Sequence, residues 1–301
     1  MRYREFVKMI RAAVQECMGE EYQVGIQEIH KNNGISRIAL KIENQKSNIF
    51  PCIYLEEYYL LFRNGGTEAA LIAEQIMQVY KAHEAREPLD ITYFSDFERV
   101  RLMVRGKLVN TEMNSELLVH VPHREFLDLS LVYTFAVALD SGGESSVQIS
   151  NEHLDLWHIG EPELFQAVKS YMEETDDAEL LRMDEVLSKM MELDMAGEQD
   201  MSEDIPTFYI ATNGARVHGA VEMLDDHFLR KAAGYLGTDF MILPSSIHEL
   251  LFLPISEEPV RPAPLALIVR DINRKYVSKD EVLSDHVYRY SRHNGEVTIA
   301  A

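Results

Sequence analysis

The sequence predicts an α+β protein with mixed and antiparallel sheets, arranged as two α/β lobes joined by an acidic helical linker. Three observations carry this reading. An Asn-Gly turn signal joins two segments of period-two alternation near the start. Amphipathic segments of helical spacing follow in irregular order with short apolar runs, instead of in a strict strand–helix repeat. Near the end, apolar runs follow one another without an intervening helix, so a doubly wound parallel sheet does not fit.

Along the chain, Phe6, Met9, Ile10, Ala13, Val14 and Cys17 recur at helical spacing over 3–18, and Gly19 supplies a stop. Segments 22–30 and 35–42 place Val24, Ile26, Ile38, Leu40 and Ile42 in alternation, and Asn33-Gly34 between them accepts positive φ angles. Pro51 begins the apolar segment Cys52-Ile53-Tyr54-Leu55, which leads into a short helix that stops near Asn64-Gly65-Gly66. A second helix is expected from Thr67, as its cap, to about His83, with Leu71, Ile72, Gln75, Ile76, Val79 and Tyr80 on one stripe. Residues 96–121 give mixed signals.

Residues 127–139 read as a long buried strand, turned at Ser141-Gly142-Gly143 onto a partner over 146–149. A helix over 161–172 carries Pro162 early, where the missing N–H costs nothing. The remainder reads as strand 207–211, helix 219–236, strands 239–243 and 247–253, helix 265–273 and strands 287–290 and 297–299.

Charge divides the chain. Of 301 residues, 50 are Asp or Glu and 29 Lys or Arg, a net charge of -21. Segment 173–204 holds 13 of the acids against only Arg182 and Lys189, so about half of the excess lies there. Met183, Val186, Leu187, Met190, Met191 and Leu193 still share a helical face, which predicts a surface helix and then an acidic linker over 196–203. The expected organisation is a lobe over 1–172, the acidic helix and linker over 173–204, and a lobe over 205–301.

This balance argues against duplex nucleic acid as a partner, whose phosphates call for Lys and Arg, and against anionic lipid. It is compatible with an unidentified protein partner. No apolar run approaches the roughly 18–20 residues that span a bilayer, and Glu5 interrupts what would otherwise be the start of an export signal. Cys17 and Cys52 are too few for a disulfide framework and are expected to be buried. The expected setting is cytoplasmic.

Several blocks resemble a bacterial family of unknown function, DUF5688. They are Lys31-Asn32-Asn33-Gly34, Pro51 to Glu56, Val121-Pro122-His123 with Asp128-Leu129, Asn151 to Leu154 with Trp157, Leu243 to Glu249, and Asp280 to Tyr288. They run over nearly the whole chain. The resemblance implies an architecture and brings no activity, cofactor or catalytic residue.

Two constellations could carry chemistry. Ser245, Ser246, His248 and Glu249 supply the hydroxyl, imidazole and carboxylate that acyl transfer uses, with Asp285 and His286 or Asn213 as distant partners. A strand over 247–253 would send His248 and Glu249 to opposite faces, and no G-x-S-x-G elbow is present. The alternative is a Pro-Ser-Ser turn. A zinc-protease helix is excluded because Phe252 stands where the second histidine is required, and His120, His123, His153 and His158 lack the spacing of one helical face; no metal site is assigned.

The second constellation is Gly214 to Gly219. It has the glycine spacing of a phosphate loop, but Ala220-Val221 replaces the lysine and hydroxyl, so no nucleotide cofactor is assigned. Asn213, Gly214, Arg216 and His218 remain as a local anion site at the start of the 219–236 helix. Trp157 is expected to anchor packing, and Asp225-Asp226 to lie on a solvated helix face. With no complete catalytic motif, the first expectation is a binding or protein-interaction module. The second is a hydrolase or small-ligand enzyme centred on Pro244 to Glu249.

Overall fold

The computed structural model describes the chain apart from residues 46, 49, 66, 85–89, 139–143, 195–206 and 256–260. The expected turn at 141–143 and linker at 196–203 lie outside the described residues. The architecture is α+β: every strand pair with a defined register is antiparallel. Contacts group the chain into two compact units, Met1–Arg99 with Ala136–Val147, and Val100–Phe135 with Gln148–Ala301. These bounds follow contacts, whereas the expected lobes followed charge.

The first unit opens with α1 (Tyr3–Met18), ended by Gly19 at φ 82°. Strands β1 (Gln23–His30), β2 (Ser36–Glu43) and β3 (Cys52–Tyr54) form a sheet in that order. The hairpin between β1 and β2 turns where expected, with Asn33 at φ 60° and Gly34 at φ 64°. Helices α2 (Glu56–Arg63) and α3 (Ala69–His83) follow. Phe6, Ile10 and Val14 of α1 pack with Leu40, Ile42, Ile72, Ile76 and Tyr80 in one core.

Three expectations are corrected here. Glu68, not Thr67, precedes α3, without a side-chain cap. The buried stripe of α3 is Ile72, Ala73, Ile76 and Tyr80, and Leu71 and Val79 are exposed. Both cysteines are exposed as well. Cys17 lies about 100° around the helix from Met18, which is buried in its place.

Beyond short helix α4 (Phe97–Val100), β4 (Val104–Asn110), α5 (Ser115–Leu118), β5 (His123–Phe126), β6 (Leu129–Ala138) and β7 (Glu144–Gln148) come in order. In the second unit β4 and β5 flank β6. The buried strand β4 falls inside the stretch whose signals are mixed. Phe126 pairs with Leu129, so Leu127 and Asp128 form a two-residue turn and the predicted strand starts two residues late. Helices α6 (Asn151–Trp157) and α7 (Glu161–Thr175) follow, and Trp157 is buried beside Phe135 and His153, the packing role expected of it.

The helix expected from the Met183–Leu193 stripe is α8 (Met183–Asp194), and a strand that the acidic stretch does not announce, β8 (Ala178–Arg182), precedes it. β8 pairs with β9 (Tyr209–Asn213), and its alternation is too short and too charged to outweigh a helical reading. The expected 219–236 helix is divided. Gly219–Leu224 is a 3₁₀ segment, and α9 runs over Asp226–Leu236, with the Asp225 carboxylate accepting from the N–H groups of His227 and Phe228 at 2.8 and 3.1 Å. Asp225 is therefore a helix cap and not a member of a solvated face. Strands β10 (Phe240–Pro244) and β11 (Leu250–Pro254), helix α10 (Pro262–Lys275), and strands β12 (Tyr288–Ser291) and β13 (Glu296–Ile299) complete a six-stranded sheet in the order β13-β12-β10-β11-β9-β8. Phe240 stacks on Phe252 and Tyr290 within it, at 4.4 and 5.0 Å between ring centres.

Candidate functional site

The link between β10 and β11 holds four of the predicted catalytic residues. Strand β11 begins at Leu250, so His248 and Glu249 lie in the loop and the opposite-face argument does not apply. Ser245 Oγ donates to the Glu249 carboxylate at 3.1 Å, and Ser246 Oγ accepts from the His248 N–H at 3.0 Å. Both hydroxyls thus stabilise the turn, as Ser side chains do next to a backbone that cannot pair in a ladder. The His248 ring faces elsewhere: Nδ1 accepts from the His218 N–H at 3.1 Å, Nε2 lies 3.9 Å from Glu281, and the two imidazoles stack. Asp285 is not its partner. That carboxylate sits 3.3 Å from Arg270 and accepts from Asn273 at 2.9 Å.

The predicted anion-site residues fold back on themselves. Asn213 donates to the Val217 carbonyl and accepts its N–H at 3.0 and 3.2 Å, Arg216 and His218 take φ of 54° and 56°, and Gly214 is exposed. The segment leads into the six-residue 3₁₀ turn and not into a long helix. Inside that turn Glu222 is only 4% exposed. Burial, and then the negative charges of Asp225 and Asp177, push its carboxyl up to about 8, so near neutrality it carries a proton.

A second polar cluster joins the β5–β6 turn to the approach to β12. The Asp128 carboxylate accepts from Ser284 Oγ at 2.7 Å and Tyr288 OH at 2.8 Å, and its Oδ2 lies 3.0 Å from His286 Nδ1. Ser284 and Tyr288 are buried, while the His286 side chain is 48% exposed. Burial, then the nearby Asp128 charge, raises the Tyr288 phenol well above its usual range, so it remains a donor. Ser284 also accepts the His286 N–H at 3.0 Å, which fixes the backbone that carries the ring.

The third feature is an open cavity of about 440 Å³. Leu131, Phe165, Met223 and Leu229 contribute apolar lining, Arg124, Glu125, Lys169, Asp226 and Glu296 contribute charge, and Thr298 lines it too. Arg124 lies over the Phe165 ring at 3.8 Å and makes two 2.9 Å bonds to Glu161, which also accepts from Tyr133. Against the cost of its burial, the guanidinium and the phenol hold the Glu161 carboxyl below the usual range. Lys169 stands 3.8 Å from Asp226.

Of the residues singled out from sequence, the structure ties Ser245 to Glu249 and His218 to His248. The serine hydroxyls engage the Glu249 carboxylate and the His248 N–H, and neither of these bonds is to the His248 ring. Asp128, Tyr288, Glu222 and the cavity residues are missed by sequence reasoning, because their partners lie far along the chain or their chemistry arises from burial. No curated protein and no solved structure matches the chain. A family model matches residues 3–292. It is the model of a family of unknown function, DUF5688, and the chain belongs to that family.

Proposed function

We propose that the protein is a binding module whose ligand is a small amine with an apolar or aromatic body, held in the cavity between Arg124, Phe165 and Thr298. The observation that carries this is the cavity itself. Its volume of about 440 Å³ is that of a small-molecule site, roughly 300–1,000 Å³, and it combines an apolar floor with a few convergent polar groups. The sign of the ligand follows from charge. Arg124 is neutralised by its paired bonds to Glu161, leaving Lys169 against Glu125, Asp226 and Glu296. An ammonium group is favoured there over a carboxylate.

The hydrolase reading of residues 244–249 has weaker support, since both serine hydroxyls are engaged in the turn. Ligand-observed NMR with phenethylamine and phenylacetate tests the proposal. Saturable binding of the amine, weaker binding of the acid, and loss of binding in Thr298→Trp are expected, because the exposed Thr298 side chain can be enlarged into the cavity without disturbing a core. Equal binding to wild type and Thr298→Trp would reject the cavity as the site. A preference for phenylacetate would reject the amine.

A further inference from the structure

We propose a second site: the Asp128–His286 pair is a proton-transfer centre, in which His286 Nε2 acts as a general base toward water or a hydroxyl of a substrate bearing an activated acyl group. The argument begins with the carboxylate. Asp128 receives three groups at 2.7, 2.8 and 3.0 Å, two of them from buried hydroxyls, so it is held in one orientation before any substrate arrives. Its neighbour His286 presents Nδ1 to it. With the Nδ1 proton directed at a carboxylate, the lone pair of the neutral ring is on Nε2, the nitrogen turned away from Asp128. This is the orientation that carboxylate partners impose on catalytic and metal-binding imidazoles alike.

The backbone agrees with this. Leu127 has φ 58° in the two-residue turn that delivers Asp128, a first turn position that glycine normally fills. A left-handed conformation strains a leucine, and such strain concentrates where a side chain must be aimed. Ser284 is no nucleophile in this arrangement. It is 1% exposed, donates to Asp128, and sits on the Nδ1 side of the ring at 3.4 Å. Asp128, Ser284 and Tyr288 are positioning residues, and the reacting proton passes at Nε2.

Hydrolysis of 4-nitrophenyl acetate by the full chain is the test. A water gives one proton to Nε2 while its oxygen bonds to the acetyl carbon. The bond to the phenolic oxygen then breaks, yielding 4-nitrophenolate and acetic acid, and His286 returns its proton to solvent. His286→Gln alters an exposed ring and should lower the rate at least about a hundredfold, the lower end of general-base contributions. His227→Gln and His293→Gln, at other exposed histidines, should leave it unchanged. The rate should fall at least about twofold in D₂O, and Asp128→Asn should both slow hydrolysis and abolish the Nδ1–H tautomer seen by ¹⁵N NMR. Equal rates in wild type and His286→Gln, equal losses from all three histidine variants, or no solvent isotope effect would overturn the proposal.

Discussion

Replacing Glu222 by glutamine should flatten the pH dependence of stability between about pH 4.5 and 8 and leave the variant more stable than the wild type above that window. Glu222 is buried beside Asp225 and Asp177, and its carboxyl titrates near 8 in the folded chain against 4.5 as an ordinary group. Between these values the native state holds a proton that the unfolded chain has released, so wild-type stability falls as pH rises. Each pH unit removes about 1.4 kcal/mol, and the whole window up to about 5 kcal/mol. Glutamine has no proton to lose. Urea unfolding of both proteins at pH 5, 7 and 9 checks this: the difference should move steadily toward the variant, and parallel curves would show that Glu222 does not titrate on folding.

The second large effect concerns one substitution at two glycines. Gly219→Ala should destabilise by about 3 kcal/mol, toward the upper end of what overpacking costs. A Cβ there would lie 2.6 Å from the His248 carbonyl oxygen and 2.8 Å from the Asn213 N, and would also collide with Thr212 Oγ1, which donates to that same carbonyl at 2.9 Å. Two of the three obstacles are backbone, so relief requires moving the 245–249 loop off β9. Gly234→Ala in α9 meets nothing within 4 Å and should stabilise by about 0.5–1 kcal/mol through helix propensity and reduced unfolded-state freedom. Thermal unfolding of the two variants beside the wild type should therefore show shifts of opposite sign.

Much of the fold is legible where one local signal decides. The stripe of Phe6, Ile10 and Val14 gives α1, and Asn33-Gly34 gives the first hairpin with the φ angles those residues favour. Local signals mislead where tertiary pairing overrides them. Residues 178–182 lie in an acidic stretch just ahead of the helical stripe of 183–193, yet form a strand through their pairing with β9. Leu127 carries no turn signal, and its positive φ is imposed by the pairing of Phe126 with Leu129 and by the bonds of Asp128. In the same way, His248 and His286 are visible as candidates, but their partners are not. His286 meets a carboxylate 158 positions away, and no periodicity reports such a distance. The protonated state of Glu222 arises first from burial and then from the Asp225 and Asp177 charges that folding brings beside it, properties of packing that composition does not carry.

The central claim, that the cavity beside Phe165 binds a small amine, is tested most directly at Met223, which is buried and lines it. With methyl-labelled methionines, phenethylamine should shift the Met223 resonance saturably, leave Met241 in the core of the six-stranded sheet unmoved, and have no effect on Met223 in Thr298→Trp. A Met223 resonance that stays fixed while the amine is titrated, or that moves equally in Thr298→Trp, would contradict it.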